Sequence, residues 1–130
     1  MIYLDTSALV KLVITEPESA ALSRWLADQP NLLHVSSTLI RVEVPRAAWR
    51  ADPAALPDSY RLIRRIVEVE LSDEVLDRAA GVRPPVLRSI DAIHLASALT
   101  LRRELTAFVA YDKRLLAAAR DAGLPIASPA

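Results

Sequence analysis

No cysteine occurs among the 130 residues, so disulfides and thiolate-held metals are both excluded. Glycine is nearly as scarce, with only Gly81 and Gly123. A phosphate-cradling P-loop or a dinucleotide fingerprint needs several glycines at close spacing, and neither can be built. Net charge is absent as well, because sixteen acidic side chains cancel sixteen basic ones. No global field therefore draws in a polyanion, and any nucleic-acid contact needs a local basic patch. No apolar run approaches the roughly 18 residues that cross a membrane. The first residues lack a basic stretch ahead of an apolar one, and Asp5 comes too early for a signal peptide. Together these absences predict a cytoplasmic protein of one domain, residues 1–130, long enough to bury a proper core.

What is present is organised around Ile2-Tyr3-Leu4-Asp5-Thr6-Ser7. Three apolar residues without polar alternation predict a strand covered on both faces, as in a parallel sheet. That strand ends in a carboxylate and two hydroxyls, and an amphipathic helix runs from Ser7 to about Ile14. A second stretch repeats the arrangement, with Ala107 to Tyr111 running directly into Asp112-Lys113. Aspartates at the carboxyl ends of such strands stand where open α/β sheets bind ligands. Asp is equally a favoured helix N-cap, which would explain either one taken singly.

Between these two stretches the pattern alternates. Thr15 and Glu18 have capping-box spacing ahead of a helix carrying Ala21, Leu22, Trp25 and Leu26. A short strand over Leu32–Val35 leads into a helix from Leu39 to Arg50, with a kink or break expected at Pro45. Helix 58–66, strand 67–71 and a helix from Asp73 towards Gly81 follow. A helix from Ser89 to Glu104, a helix from Lys113 to Ala122 and a closing strand Pro125–Ala127 complete the chain. Strands alternating with helices predict parallel βαβ units, hence an α/β three-layer α/β/α sandwich around a small parallel sheet.

Most acidic residues fall on solvated faces, but Glu43 and Asp91 do not. Glu43 is flanked by Val42 and Val44, and Asp91 lies in the first turn of an otherwise apolar helix. A carboxylate facing a core is costly unless it is paired or binds a cation. An ion pair with Arg46 or Arg50 would account for Glu43, and the helix dipole for Asp91.

Four segments in order, IYLDTSALVKL, TLIRVEVPRA, SIDAIHLASAL and FVAYDKRLLAAA, make the chain similar to the PIN-domain ribonucleases, in particular the VapC toxins of toxin–antitoxin systems. The resemblance implies a PIN-like fold and a metal-dependent endoribonuclease. It implies that Asp5, Glu43, Asp91 and Asp112 gather at the carboxyl edge of the sheet and bind Mg²⁺ or Mn²⁺, with Thr6 or Ser7 holding a metal-bound water. The water, activated by the ion, would hydrolyse an RNA phosphodiester. It further implies a homodimer and a cognate VapB-type antitoxin as partner. Ala110 departs from the family, which often has Thr or Ser two residues before the last Asp.

Lys11, Arg41, Arg46, Lys113 and Arg114 are candidates for an RNA-phosphate rim, with Arg50 beside them. Leu9, Leu12, Val13, Trp25 and Leu26 have the amphipathic spacing of a dimer or antitoxin contact. Trp25 and Trp49 read as core or interface anchors rather than base-stacking platforms. His94, one turn after Asp91, could share its face as an acid–base partner, but a structural histidine is the preferred reading. Two other readings compete. A haloacid-dehalogenase-type phosphatase wants a second aspartate two residues after Asp5, where Ser7 stands instead. A non-catalytic PIN-like module that binds RNA or a partner is the alternative from another class.

Overall fold

The side chains of Ile2, Tyr3 and Leu4 point alternately to opposite faces, and all three are buried, so this strand needs a layer on each side. The computed structural model, which describes residues 1–130, supplies both. Its elements in chain order are β1 (Ile2–Leu4), α1 (Thr6–Lys11), α2 (Ser19–Ala27), β2 (His34–Ser37), α3 (Ile40–Ala51), a 3₁₀ turn (Pro53–Ala55) and α4 (Leu56–Ile63). β3 (Val67–Val69), α5 (Asp73–Ala80), α6 (Ser89–Leu99), β4 (Ala107–Val109), α7 (Lys113–Asp121) and β5 (Ile126–Ala127) follow. All five strands are parallel, in the order β3-β2-β1-β4-β5. The three-layer α/β/α sandwich predicted from the alternation is therefore the architecture observed.

The pleat divides the core in two. Ile2 and Leu4 of β1 and Ala107 and Val109 of β4 face Leu9, Leu22, Leu26, Ile40 and Val44 of α1 to α3. Tyr3 and Phe108 face the other way, towards Leu95 and Ala98 of α6 and Leu115, Ala118 and Ala119 of α7. Tyr3 and Phe108 are register partners whose rings stack at 5.3 Å. Each such fully buried large side chain contributes on the order of 1.5–3 kcal/mol of transfer free energy.

Several local expectations need correction. β2 lies two residues later than predicted, at His34–Ser37, because Ser36 and Ser37 are buried in the strand. Ser36 tolerates this because its hydroxyl donates to the Leu4 carbonyl at 2.6 Å. α3 runs through Pro45 without a break. The acceptor that loses its donor is the carbonyl of Arg41, an exposed residue in the first turn of the helix. The Thr15–Glu18 capping box does not form. Ser19 instead accepts from the Glu16 N–H and donates to the Ile14 carbonyl. α6 stops at Leu99 rather than Glu104, with the Thr100 hydroxyl closing back onto the Ser97 carbonyl.

The five apolar residues proposed as a dimer or antitoxin contact divide by burial. Leu9 and Leu26 are buried, and Leu12, Val13 and Trp25 pack against the same cluster. Those three are only partly buried, so part of each remains on the surface. Trp49, by contrast, is 56% exposed. No helix is long and apolar enough to cross a membrane.

If α1 is seated on the sheet by Leu9, Leu9→Ala should cost about 2–5 kcal/mol in urea unfolding. Val42→Ala, at an exposed position, should stay within about 0.5 kcal/mol. Equal, small losses would mean that α1 is not part of the core.

Candidate active site

Chain direction places the site before any side chain is considered. From β1 the chain steps outward through β2 to β3, then returns to add β4 on the other side of β1. At such a reversal the loops leaving the two central strands diverge, and a crevice opens at their carboxyl ends. Asp5 follows β1 and Asp112 follows shortly after β4. The cavity found there, of about 490 Å³, is lined by Asp5, Thr6, Glu43, Asp91, His94 and Asp112 among others. All four predicted carboxylates reach it: two from the strand ends, one from α3 and one from the first turn of α6.

Each carboxylate is anchored through one oxygen. Asp5 Oδ1 caps α1 by accepting from the Ala8 N–H at 2.9 Å and from Ser7 Oγ at 2.6 Å. Asp112 Oδ1 caps α7 by accepting from the Leu115 N–H at 2.9 Å. Glu43 Oε1 accepts from Thr6 Oγ1 at 2.7 Å and lies 2.9 Å from His94 Nε2. Asp91 Oδ2 accepts from Arg88 through Nε and Nη2, both at 3.0 Å. The second oxygen of each group makes no hydrogen bond within the protein. None of these four is a buried, unpartnered atom, so each opens to solvent.

His94 ties the site to the core. It is almost fully buried, with Nδ1 2.8 Å from the Tyr3 hydroxyl and Nε2 between Glu43 Oε1 and Thr6 Oγ1. An ionised carboxylate can only accept, so Nε2 carries a proton, and in the neutral ring Nδ1 accepts from Tyr3. Burial pushes the Tyr3 phenol far above its usual value and keeps it a donor. His94 is therefore structural, as preferred, but what it supports is Glu43. Neither Arg46 nor Arg50 pairs with that glutamate.

Electrostatics separate the acids. Burial raises Asp5 above its ordinary value, against the opposing influence of His94, Ser7 and the Ala8 N–H, and Asp91 adds to the rise. Burial also acts to raise Glu43, but the hydrogen bonds from His94 and Thr6 outweigh it and hold Glu43 low.

The chemistry of the donor set suits a hard divalent cation: carboxylate oxygens only, one free per side chain. No three of these groups already converge closely enough to enclose an ion. Mg²⁺ keeps several waters and needs only one or two carboxylates directly, so it does not require three converging groups. Thr6 and Ser7, the candidates for holding a water, both line the cavity. Both hydroxyl protons are engaged on carboxylates, and Ser7 Oγ also accepts from the Tyr111 N–H at 3.2 Å. Ala110 is fully buried among Tyr3, Phe108 and Leu115 and does not line the cavity.

The basic rim is mostly elsewhere. Lys11 is held by Glu16 and Glu18 and lies 4.5 Å over the Tyr111 ring. Arg41 pairs with Glu68 on the edge strand β3. Arg46 and Lys113 are exposed but line neither the cavity nor its neighbour. Arg114 alone of the five lines an adjoining cavity. Arg88 is the residue that sequence reasoning missed. Its spacing three residues before Asp91 was the available signal, since such pairs meet at a helix start.

Comparison with known proteins places the chain as a whole. The PIN domain family profile matches residues 2–121. The chain is 45% identical to Ribonuclease VapC47 of Mycobacterium tuberculosis (strain CDC 1551 / Oshkosh), covering 99% of this chain and 97% of that protein. It is 41% identical to Ribonuclease VapC46 of Mycobacterium tuberculosis (strain ATCC 25618 / H37Rv), covering 98% and 97%. Among solved structures, Mycobacterium tuberculosis VapC20, described as a Sarcin-Ricin loop cleaving toxin, superposes with a TM-score of 0.74 at 17% identity, over 99% of this chain and 100% of that one. The VapBC2 structure from Rickettsia felis, bound to a DNA fragment from its promoter, matches with a TM-score of 0.72 at 13% identity over the whole of both chains. The fold, the near-complete matches and the profile agree: this chain belongs to the PIN-domain family, within its VapC-type ribonucleases.

Proposed function

We propose that this VapC-type protein hydrolyses RNA phosphodiester bonds as the toxin of a toxin–antitoxin pair, with Asp5, Glu43, Asp91 and Asp112 as its catalytic set. The observation that carries the proposal is the free oxygen on each of four anchored carboxylates around one cavity at the carboxyl edge of β1 and β4. A bound Mg²⁺ or Mn²⁺ would supply a polarised water and positive charge against the phosphate.

The chain's own residues do the rest. Asp5 and Asp112 are held by the helices they cap, so their free oxygens keep a fixed place in the cavity. Thr6 and His94 orient Glu43 and keep it ionised. Arg88 orients Asp91 and offsets part of the repulsion among the acids. No nucleophilic side chain is required. The partner we infer is a VapB-type antitoxin, in keeping with the toxin–antitoxin assemblies among the structural neighbours. A homodimer and a cytoplasmic location belong to the same proposal.

The direct test is incubation of purified, antitoxin-free protein with total host RNA in Mn²⁺, Mg²⁺ or EDTA. Discrete fragments should appear with metal only, and Asp91→Asn should lose them. A folded protein that cuts nothing would favour a PIN-like binding module. His94→Ala should keep the fold but reduce cleavage about 10–100-fold, the usual effect of removing a partner that orients a metal-binding side chain.

Thermal unfolding gives a second check. Because Asp5 is raised by burial, ionising it costs stability. That cost is absent well below about pH 4 and fully present once the pH exceeds the raised value. Asn caps a helix as well as Asp, so Asp5→Asn should match or exceed the wild-type Tm at pH 7.5 without metal. The advantage should vanish as the pH falls through the carboxylate range. Added Mn²⁺ should raise the wild-type Tm logarithmically with concentration and leave Asp5→Asn unmoved.

A further inference from the structure

A polyanion approaching four carboxylates meets repulsion, and the chain's zero net charge does nothing to offset it. Two arginines are placed to do so. Arg88 stands at the N-terminal boundary of α6 with its side chain 76% exposed, and its Nε–H and one Nη2–H both meet Asp91 Oδ2. A guanidinium is a planar fork with five N–H donors. With one edge engaged, three donors remain on the other edges, and the fork is already oriented. Arg88 also lies within the fields of Asp112 and Glu43.

A second, smaller cavity of about 250 Å³ adjoins the first. Its walls are Val86, Leu87, Arg88, Asp91, Asp112 and Arg114. Arg88, Asp91 and Asp112 line both spaces, so the two lie side by side with Arg88 on the boundary they share. Arg114 is exposed, lies in the first turn of α7 and forms no ion pair. Other basic side chains considered for the rim are paired elsewhere, as Lys11 and Arg41 are, or line neither cavity.

We propose that Arg88 and Arg114 form a phosphate subsite that grips the RNA backbone beside the bond being cut, so that the strand leaves the carboxylate cavity through the smaller one. This rests on the ribonuclease reading and adds the direction of the strand. Arg88 has two roles: it orients Asp91 through one edge and presents the other to the phosphate. Arg114 contributes charge alone. The pair supplies locally the positive potential that the composition lacks.

The test is binding of a fluorescein-labelled single-stranded RNA of mixed sequence to full-length protein by anisotropy, in Mg²⁺. A Glu43→Gln background prevents turnover. Arg114→Ala should weaken binding about tenfold. It should also flatten the plot of log affinity against log salt by about 0.7, the slope of one lost single-strand phosphate contact. Lys113→Ala, next door but lining neither cavity, should change neither. Arg88→Lys keeps the charge without the fork and should also weaken binding, which avoids leaving Asp91 unpaired. Equal effects of Arg114→Ala and Lys113→Ala would reduce the subsite to diffuse attraction and overturn it. So would unchanged affinity and slope in Arg114→Ala, if the wild-type protein cleaves RNA. A wild-type protein that cuts no RNA with either metal overturns the ribonuclease reading and the subsite with it.

Discussion

Everything at the carboxylate cavity depends on the parallel pairing of β1 with β4. The register sets Leu4 beside Val109, and the Asp5 N–H donates to the Val109 carbonyl at 3.1 Å. The two strands therefore end level with one another, and the residues that follow emerge at the same edge. A slip of one residue would turn Tyr3 and Phe108 into the opposite layer and carry Asp5 away from the crevice. Burial on both faces makes that slip prohibitive.

The aspartates show that capping a helix and facing a cavity are compatible. Asp5 and Asp112 are both true N-caps, as the simplest reading of their sequence position holds. A carboxylate has two oxygens, however, and the cap engages one. Capping immobilises the side chain and leaves its second oxygen aimed at the cavity, which is what an ion-binding group needs. Glu43 and Asp91 follow the same rule with side-chain anchors, His94 and Thr6 for one and Arg88 for the other.

This anchoring extends into the core. Tyr3 belongs to the apolar layer beneath α6 and α7, yet its hydroxyl reaches His94, and His94 reaches Glu43. The position of Glu43 thus depends on the packing of a central strand 40 residues away in sequence. Stability and site geometry share the same side chains here, so β1 serves both at once.

The apolar runs that end in Asp5 and Asp112 were enough to determine the strand–helix alternation, the parallel sheet and the edge where ligands would gather. Periodicity and chain direction are local properties, and they survive without knowledge of any neighbour. Strand and helix ends were less legible. β2 and α6 were misplaced by a few residues because buried serines and a threonine cap obtain their hydrogen bonds from distant or turn-forming carbonyls. The four acids were identifiable from their apolar surroundings and family motifs, but their anchors were not. Arg88 lies three residues before Asp91, whereas His94, Thr6 and Tyr3 meet only after α6 packs on β1 and α3. The same holds for the basic residues: nearness in sequence to an acid left Lys11, Arg41, Arg46 and Lys113 on other faces, because each turn of a helix points its side chains in different directions. Which carboxylate has which partner, and which cation faces the cavity, was decided by tertiary structure alone, since those are distances between segments that local sequence does not encode.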